Sequence, residues 1–108
     1  MKESPYKVSA VRIVAQGPGL LVREFTYAPG EATPWHRHSE VTDLTYALGG
    51  LITVETRAPD AVQPLSSGEH NELSPGRVHR LVNHGAEDAR ILLIQHGGIY
   101  DFVTVEED

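Results

Sequence analysis

The chain contains no cysteine. Disulfides, thiolate metal ligands and a cysteine nucleophile are thereby excluded together, and the composition fits a reducing compartment. Long apolar runs are missing too. The longest uninterrupted aliphatic stretch is Ile91-Leu92-Leu93-Ile94, far short of the ~18–20 residues that a membrane-spanning helix requires. The opening residues, MKESPYKVSA, lack the apolar centre of a secretory signal, so the expected location is cytoplasmic. Positive charge is scarce: nine basic residues stand against fifteen acidic ones, for a formal net charge of −6. The basic residues are also scattered, so neither a nucleic-acid nor a membrane partner is expected. The acidic end, Val105-Glu106-Glu107-Asp108, reads as a solvated tail.

What is present describes a small globular protein. With 108 residues, 40% hydrophobic and 22% charged, the chain suits one domain spanning 1–108 with a modest core. Turn formers recur at Gly17-Pro18-Gly19, Pro29-Gly30, Gly49-Gly50, Ala58-Pro59-Asp60, Ser66-Ser67-Gly68, Pro75-Gly76, Asn83-His84-Gly85 and Gly97-Gly98. Between them lie short runs rich in Val, Ile, Leu, Thr and Tyr, at 8–15, 20–28, 43–48, 51–57, 78–83, 90–96 and 99–105. None carries the helical period, and short strands with turns every ~8–12 residues predict an all-β sandwich or barrel. Residues up to about 16 read as an N-terminal arm or edge strand, and about 20–105 as the barrel.

The chemistry concentrates in Gly30–Gly50, which reads GEATPWHRHSEVTDLTYALGG. His36 and His38 are two apart, so on an extended segment both imidazoles leave the same face. Asp43 follows five residues later. Imidazoles converging beside a carboxylate suit a divalent first-row metal. Glu40 is a rival carboxylate, because a continued strand places it on the same face as the histidines. Trp35 is expected to pack or to wall a pocket. A second stretch, Leu65–Gly85, reads LSSGEHNELSPGRVHRLVNHG and puts His79 and Asn83 on a strand after a Pro-Gly turn.

These two stretches resemble the paired motifs of the cupins. Gly30, His36, His38, Asp43 and Gly50 fill the first motif in register, and Gly68, Gly76, His79 and Asn83 fill the second. Two departures stand out: Asp43 replaces the usual glutamate, and proline lies one position late, at Pro75, with Ser74 in the expected place. The resemblance spans Gly30–Asn83 and implies a double-stranded β-helix, the cupin jelly-roll barrel. Its metal would sit inside one end, on His36, His38, Asp43 and His79. Because aspartate is one methylene shorter, a three-histidine site with Asp43 behind it stays open. So does a metal-free cavity whose histidines are satisfied by hydrogen bonds. Fe, Mn, Ni, Co and Zn all suit such donors.

Other polar residues extend the reading. Arg23 alternates with Phe25 and Tyr27 on the face expected to point inward, where it would bind a substrate carboxylate or else snorkel to the rim. His70 and Glu72 share a strand face, either lining a pocket, with Glu72 as a substrate contact, or exposed. His84, at a glycine turn, reads as a surface residue. Gln95 and His96 end the aliphatic strand, so one of them turns inward; His96 would then serve as a general base. Gly97–Phe102 and the pair Thr45-Tyr46 resemble small cupins that process unsaturated uronates, which implies a catalytic role for Asp101. Leu44, Tyr46 and Leu48 form an apolar row that needs a second sheet or a second subunit, and a homodimer is expected. The functional expectation is a metal-dependent enzyme acting on a small oxygen-rich metabolite, as a dioxygenase or a sugar-acid isomerase or ring-opening enzyme. The alternative is a non-catalytic binder of a small ligand.

Overall fold

The structure, a computed structural model, describes residues 8–106. Residues 1–7 of the expected arm, and Glu107 and Asp108 of the acidic tail, lie outside the described residues. Ten strands and no helix occur among those described: β1 (Ala10–Gly17), β2 (Leu20–Tyr27), β3 (His36–Arg37), β4 (Thr42–Gly49), β5 (Ile52–Thr56), β6 (Ala61–Leu65), β7 (His70–Leu73), β8 (His79–Val82), β9 (Ala89–His96) and β10 (Val103–Thr104). They form two five-stranded sheets, ordered β1-β2-β9-β4-β7 and β10-β3-β8-β5-β6, with antiparallel pairing throughout.

Alternation along β2, β9 and β4 decides what faces inward. Cross-strand register sets Phe25 beside Ile91 and Ile91 beside Ala47, then Arg23 beside Leu93 and Leu93 beside Thr45. The last layer joins Leu21 to Gln95 and Gln95 to Asp43. The inner face therefore grades from apolar to polar along the strands. At the apolar end Phe25, Tyr27, Ala47, Ala89 and Ile91 meet Ile52, Val54, Leu65 and Leu81 of the other sheet in one buried cluster. Each such aliphatic or aromatic side chain contributes roughly 1.5–3 kcal/mol on leaving water. With stability concentrated at that end, the other end is free to carry polar groups.

Two strand expectations change. Residues 61–65 form a strand that the sequence hides, because Pro64 reads as a breaker. β6 is an edge strand of its sheet, where a residue lacking an N–H is tolerated. The expected strand 99–105 shortens to Val103–Thr104. Gly97 takes a positive φ of 96° and breaks the run, and residues 98–102 cross the barrel mouth instead.

The outer face of the first sheet carries Leu44 and Tyr46, both half-buried, and Leu48, which is 36% exposed. Tyr46 stacks on His70 with ring centroids 5.0 Å apart. The other sheet does not cover this row.

The glycines closing and opening the first motif differ in kind. Gly50 has φ +76°, and a Cβ there would strike the backbone carbonyl of Asp88 and lie 2.9 Å from Ala89 Cα. Gly30 has φ +84° with nothing within 4 Å of a Cβ. Gly30→Ala therefore meets only the left-handed backbone penalty, about 1 kcal/mol. Gly50→Ala adds a clash with immobile backbone and is expected to lose about 2 kcal/mol or more. Urea unfolding of both variants checks this, and equal losses would refute the close-approach explanation.

Candidate metal centre

Three histidines converge at the polar end. His36 opens β3, His38 follows that strand, and His79 opens β8 directly opposite His36. All are at most 3% exposed, and one nitrogen from each lies within 4.8 Å of the others. Their second nitrogens are committed to backbone. His36 Nδ1 donates to the Pro34 carbonyl at 2.8 Å, His38 Nδ1 to the Asp101 carbonyl at 2.6 Å, and His79 Nδ1 to the Arg77 carbonyl at 2.8 Å. A carbonyl can only accept, so each ring carries its proton on Nδ1 and turns the Nε2 lone pair inward. This is the outer support that metal-binding histidines use to fix ring orientation and basicity.

Asp43, on the inner face of β4 and 4% exposed, completes the group. Its Oδ2 lies 3.1 Å from His79 Nε2 and 3.4 Å from His38 Nε2. A carboxylate oxygen and imidazole lone pairs at that separation require a proton or a cation between them. Asp43 Oδ1 is buried with no hydrogen-bond partner among the described residues. Three oriented nitrogens and a carboxylate with spare capacity suit a divalent metal, so the residues present fit such an ion. Glu40 is exposed and accepts from the Ile99 amide at 3.0 Å, away from the cluster.

Electrostatics follow from this crowding. Burial, with the neighbouring His79 adding to it, pushes His36 down to about 3. Burial also opposes a charge on His38, but the hydrogen bond and charge of Asp43, with help from Asp101, outweigh it and raise its pKa. Burial alone would raise Asp43, yet the bonds from His38 and His79 prevail and hold its carboxyl well below the usual range.

The signs predict acid sensitivity in the metal-free protein. As pH falls from 6.5 towards 3 the unfolded chain takes up a proton that buried His36 refuses, costing about 1.4 kcal/mol per pH unit. The contribution of Asp43 is present above its unfolded value of 3.8 and is lost as pH drops towards its depressed folded value. His38 acts oppositely: its contribution is present below 6.5 and lost as pH rises through its raised folded value. Denaturant unfolding in chelator across pH 7 to 4 measures the slope; a flat profile would contradict the buried neutral His36.

Further side chains share the chamber. Arg23, on the inner face of β2, donates from Nη2 to Gln95 Oε1 at 2.7 Å, and Gln95 Nε2 lies 3.5 Å from His38 Nε2. Phe102 stacks on His36 with centroids 4.2 Å apart, and Tyr100 leans on His38 at 5.5 Å. Residues 100–102 thus close the barrel mouth, and the space left among these side chains is about 10 Å³, the volume of one water-sized body.

Several expected site residues stand elsewhere. His96 is exposed, and Gln95, 1% exposed, takes the inward position. The reason is parity: Asp43 pairs directly with Gln95, so His96 shares the outer face with Leu92 and Ile94. Glu72 is exposed and pairs with Leu44 on the outer face. The Asp101 carboxylate accepts from the Ser39 amide at 2.7 Å, and the Ser39 side chain first and its amide second lower the carboxyl's pKa; the backbone carbonyl is what reaches His38. His84 is 56% exposed and meets Glu55. Trp35 packs between Arg57 and Arg80, 4.0 and 5.0 Å from its ring centroid. Asn83 is fully buried and structural: its amide donates to the carbonyls of Tyr27 and Glu87 and accepts from Gly85 N.

Known proteins resemble this chain in sequence or in fold. The beta-alanine degradation protein BauB of Pseudomonas aeruginosa is 27% identical over 88 residues, covering 82% of this chain and 90% of that protein. A Klebsiella pneumoniae protein with a double-stranded β-helix domain superposes with a TM-score of 0.81 at 21% identity, over 98% of this chain and 90% of that one. An oxalate oxidase superposes with a TM-score of 0.74 at 20% identity, over 81% of this chain but only 46% of that one. The chain therefore spans about half the length of that enzyme, and both likenesses speak to fold. The family profile described as a cupin domain matches residues 23–95. The double-stranded β-helix, the two matched motifs and that span together make this chain a member of the cupin family.

Proposed function

We propose that the protein is a metal-dependent enzyme whose metal is held by His36, His38 and His79, with Asp43 closing the site. The observation that supports this best is the common orientation of the three rings, each anchored through Nδ1 on a backbone carbonyl. A divalent first-row metal (Fe, Mn, Ni, Co or Zn) held there supplies a Lewis-acid charge to the oxygens of a small chelating metabolite. Arg23 offers the counter-charge for a ligand carboxylate, since its Nε is buried and without a partner among the described residues. Outside the ligand set, the proton-bearing side chains at the chamber are Arg23, Thr33, Gln95 and Tyr100. With His96 and Glu72 exposed and the Asp101 carboxylate bonded to Ser39, Tyr100 is the side chain at the chamber that would move a proton in sugar-acid isomerisation or ring opening. Oxygen-dependent chemistry on a chelating substrate is the other reaction class that such a metal site would support. The small chamber supports a second reading, non-catalytic binding of a small ligand.

Protein purified without chelators is expected to carry about one first-row metal per chain by elemental analysis, and metal-free protein to take up one equivalent in calorimetry. No uptake would sink the assignment. Oxygen consumption over a panel of diketones and oxo acids separates the enzyme from the binder. The uncovered row of Leu44, Tyr46, Leu92 and Ile94 supports a homodimer, which sedimentation would register. Composition supports a cytoplasmic setting, and no described helix is long and apolar enough to cross a membrane.

A further inference from the structure

The chamber is too small for the body of a substrate, but it has a larger neighbour. A depression of about 380 Å³ lies beside it, and Gln95 and Tyr100 line both. The partition is one side chain thick: Gln95 reaches His38 on one side and faces the depression on the other. Leu20, Leu21, Val41 and Ile99 supply the apolar wall, Gln16, Gln95 and Tyr100 the polar side chains, and no charged side chain lines it among the described residues. Leu20 and Ile99 are 40% and 76% exposed. Large apolar groups exposed at the rim of an uncharged pocket mark a binding surface.

Two backbone amides beside the pocket are already engaged. The Gly97 amide donates to the Gly19 carbonyl at 3.0 Å, and the Ile99 amide to Glu40 Oε1 at 3.0 Å. The first bond ties the segment crossing the mouth to the turn between β1 and β2, the second ties it to the loop between β3 and β4, and both donors are engaged. Gly98 packs so closely that a Cβ there would lie 2.6 Å from Glu40 Cβ, which fixes the segment's path. A ligand body rich in hydroxyls would leave water and find few partners, an expensive exchange; an apolar body gains from the same burial.

We infer that this pocket receives the apolar body of the ligand while its chelating acid head reaches the metal in the place of the Tyr100 side chain, which moves aside to admit it. The substrate class is a chelating carboxylic acid bearing a branched aliphatic or aryl substituent, not a polyhydroxylated sugar acid. This rests on the metal reading above, so its test separates the two.

In Zn(II)-loaded protein, calorimetry with aceto-, butano-, hexano- and benzohydroxamate varies the tail at constant head. Affinity is expected to rise about threefold per methylene, while gluconohydroxamate binds no tighter than acetohydroxamate. Ile99→Asp, at a position exposed enough to spare the fold, is expected to flatten the dependence on tail length. In metal-free protein, isoamyl alcohol is expected to shift the amide resonances of Leu20, Gly98 and Ile99. Hydroxamates that bind without tail dependence, a tighter gluconohydroxamate, or an alcohol that leaves those amides unmoved would overturn the pocket assignment. Hydroxamates that fail while the alcohol still shifts those amides would overturn the metal centre and uphold the pocket.

Discussion

His79→Ala is expected to abolish metal uptake while the fold persists. The substitution removes one of three converging nitrogens and leaves Asp43 without its 3.1 Å contact. The loss should exceed the ~10–100-fold that removing an outer partner of a ligand costs. In the unaltered protein, metal at a hundred times its dissociation constant stabilises by about 2.7 kcal/mol, a rise in Tm of about 10–20 °C for a chain of this size. The variant should show no such rise. His84→Ala, at an exposed ring bonded to Glu55, should keep it. If His79→Ala binds metal as before, the three-histidine centre is wrong.

Arg23→Met is expected to make the ligand-free protein more stable and a poorer binder of acids. The Arg23 guanidinium sits 4.8 Å from the Tyr100 ring centroid and 5.1 Å from that of Phe25. Its hydrogen bond goes to neutral Gln95, and no carboxylate lies within ion-pair distance among the described residues. A partly desolvated cation without a counter-ion is costly, and an apolar residue of similar length should recover about 1–2 kcal/mol. The same vacancy in charge makes the arginine valuable once an acid arrives, because truncating one partner of such a pair costs about 2–5 kcal/mol. Oxalate affinity of the metal-loaded protein should fall about a hundredfold, with acetohydroxamate, which lacks a carboxylate, affected far less. Equal loss for both probes, or oxalate affinity within about threefold of the parent, would remove Arg23 from ligand binding.

The pairing of His36 with His38 was legible from strand phase, whereas joining them to Asp43 and His79 came from the resemblance to the cupin motifs. His-x-His on an extended segment puts both rings on one face, but the same phase also admits Glu40, and only the motif spacing favoured Asp43. The inward position of Arg23 was legible from its two aromatic companions. Gln95 was not. Ile91, Leu92, Leu93 and Ile94 are apolar on both faces, so nothing local says which of Gln95 and His96 turns in. The pairing of β9 with β4 decides it, and that pairing is a property of the assembled sheet. β6 was concealed by Pro64, whose tolerance depends on edge position. The path of residues 98–102 depends on the Glu40 bond to Ile99 and on Phe102 finding His36, contacts between segments far apart in sequence. The signal that could have pointed to Tyr100 and Phe102 is the Gly97-Gly98 break that stops β9 just before them.

The Nδ1 partner of His38 comes from 63 residues further along the chain. A growing polypeptide therefore owns His36, His38, Asp43 and finally His79 before it owns the carbonyl that aligns the second of them, or the Phe102 ring that rests against the first. A nascent fragment reaching only to β9 has all the donor atoms but lacks the carbonyl that holds the His38 proton on Nδ1. Under the proposed metal reading, a fully oriented donor set is consequently a property of the finished barrel, after residue 101 has left the ribosome.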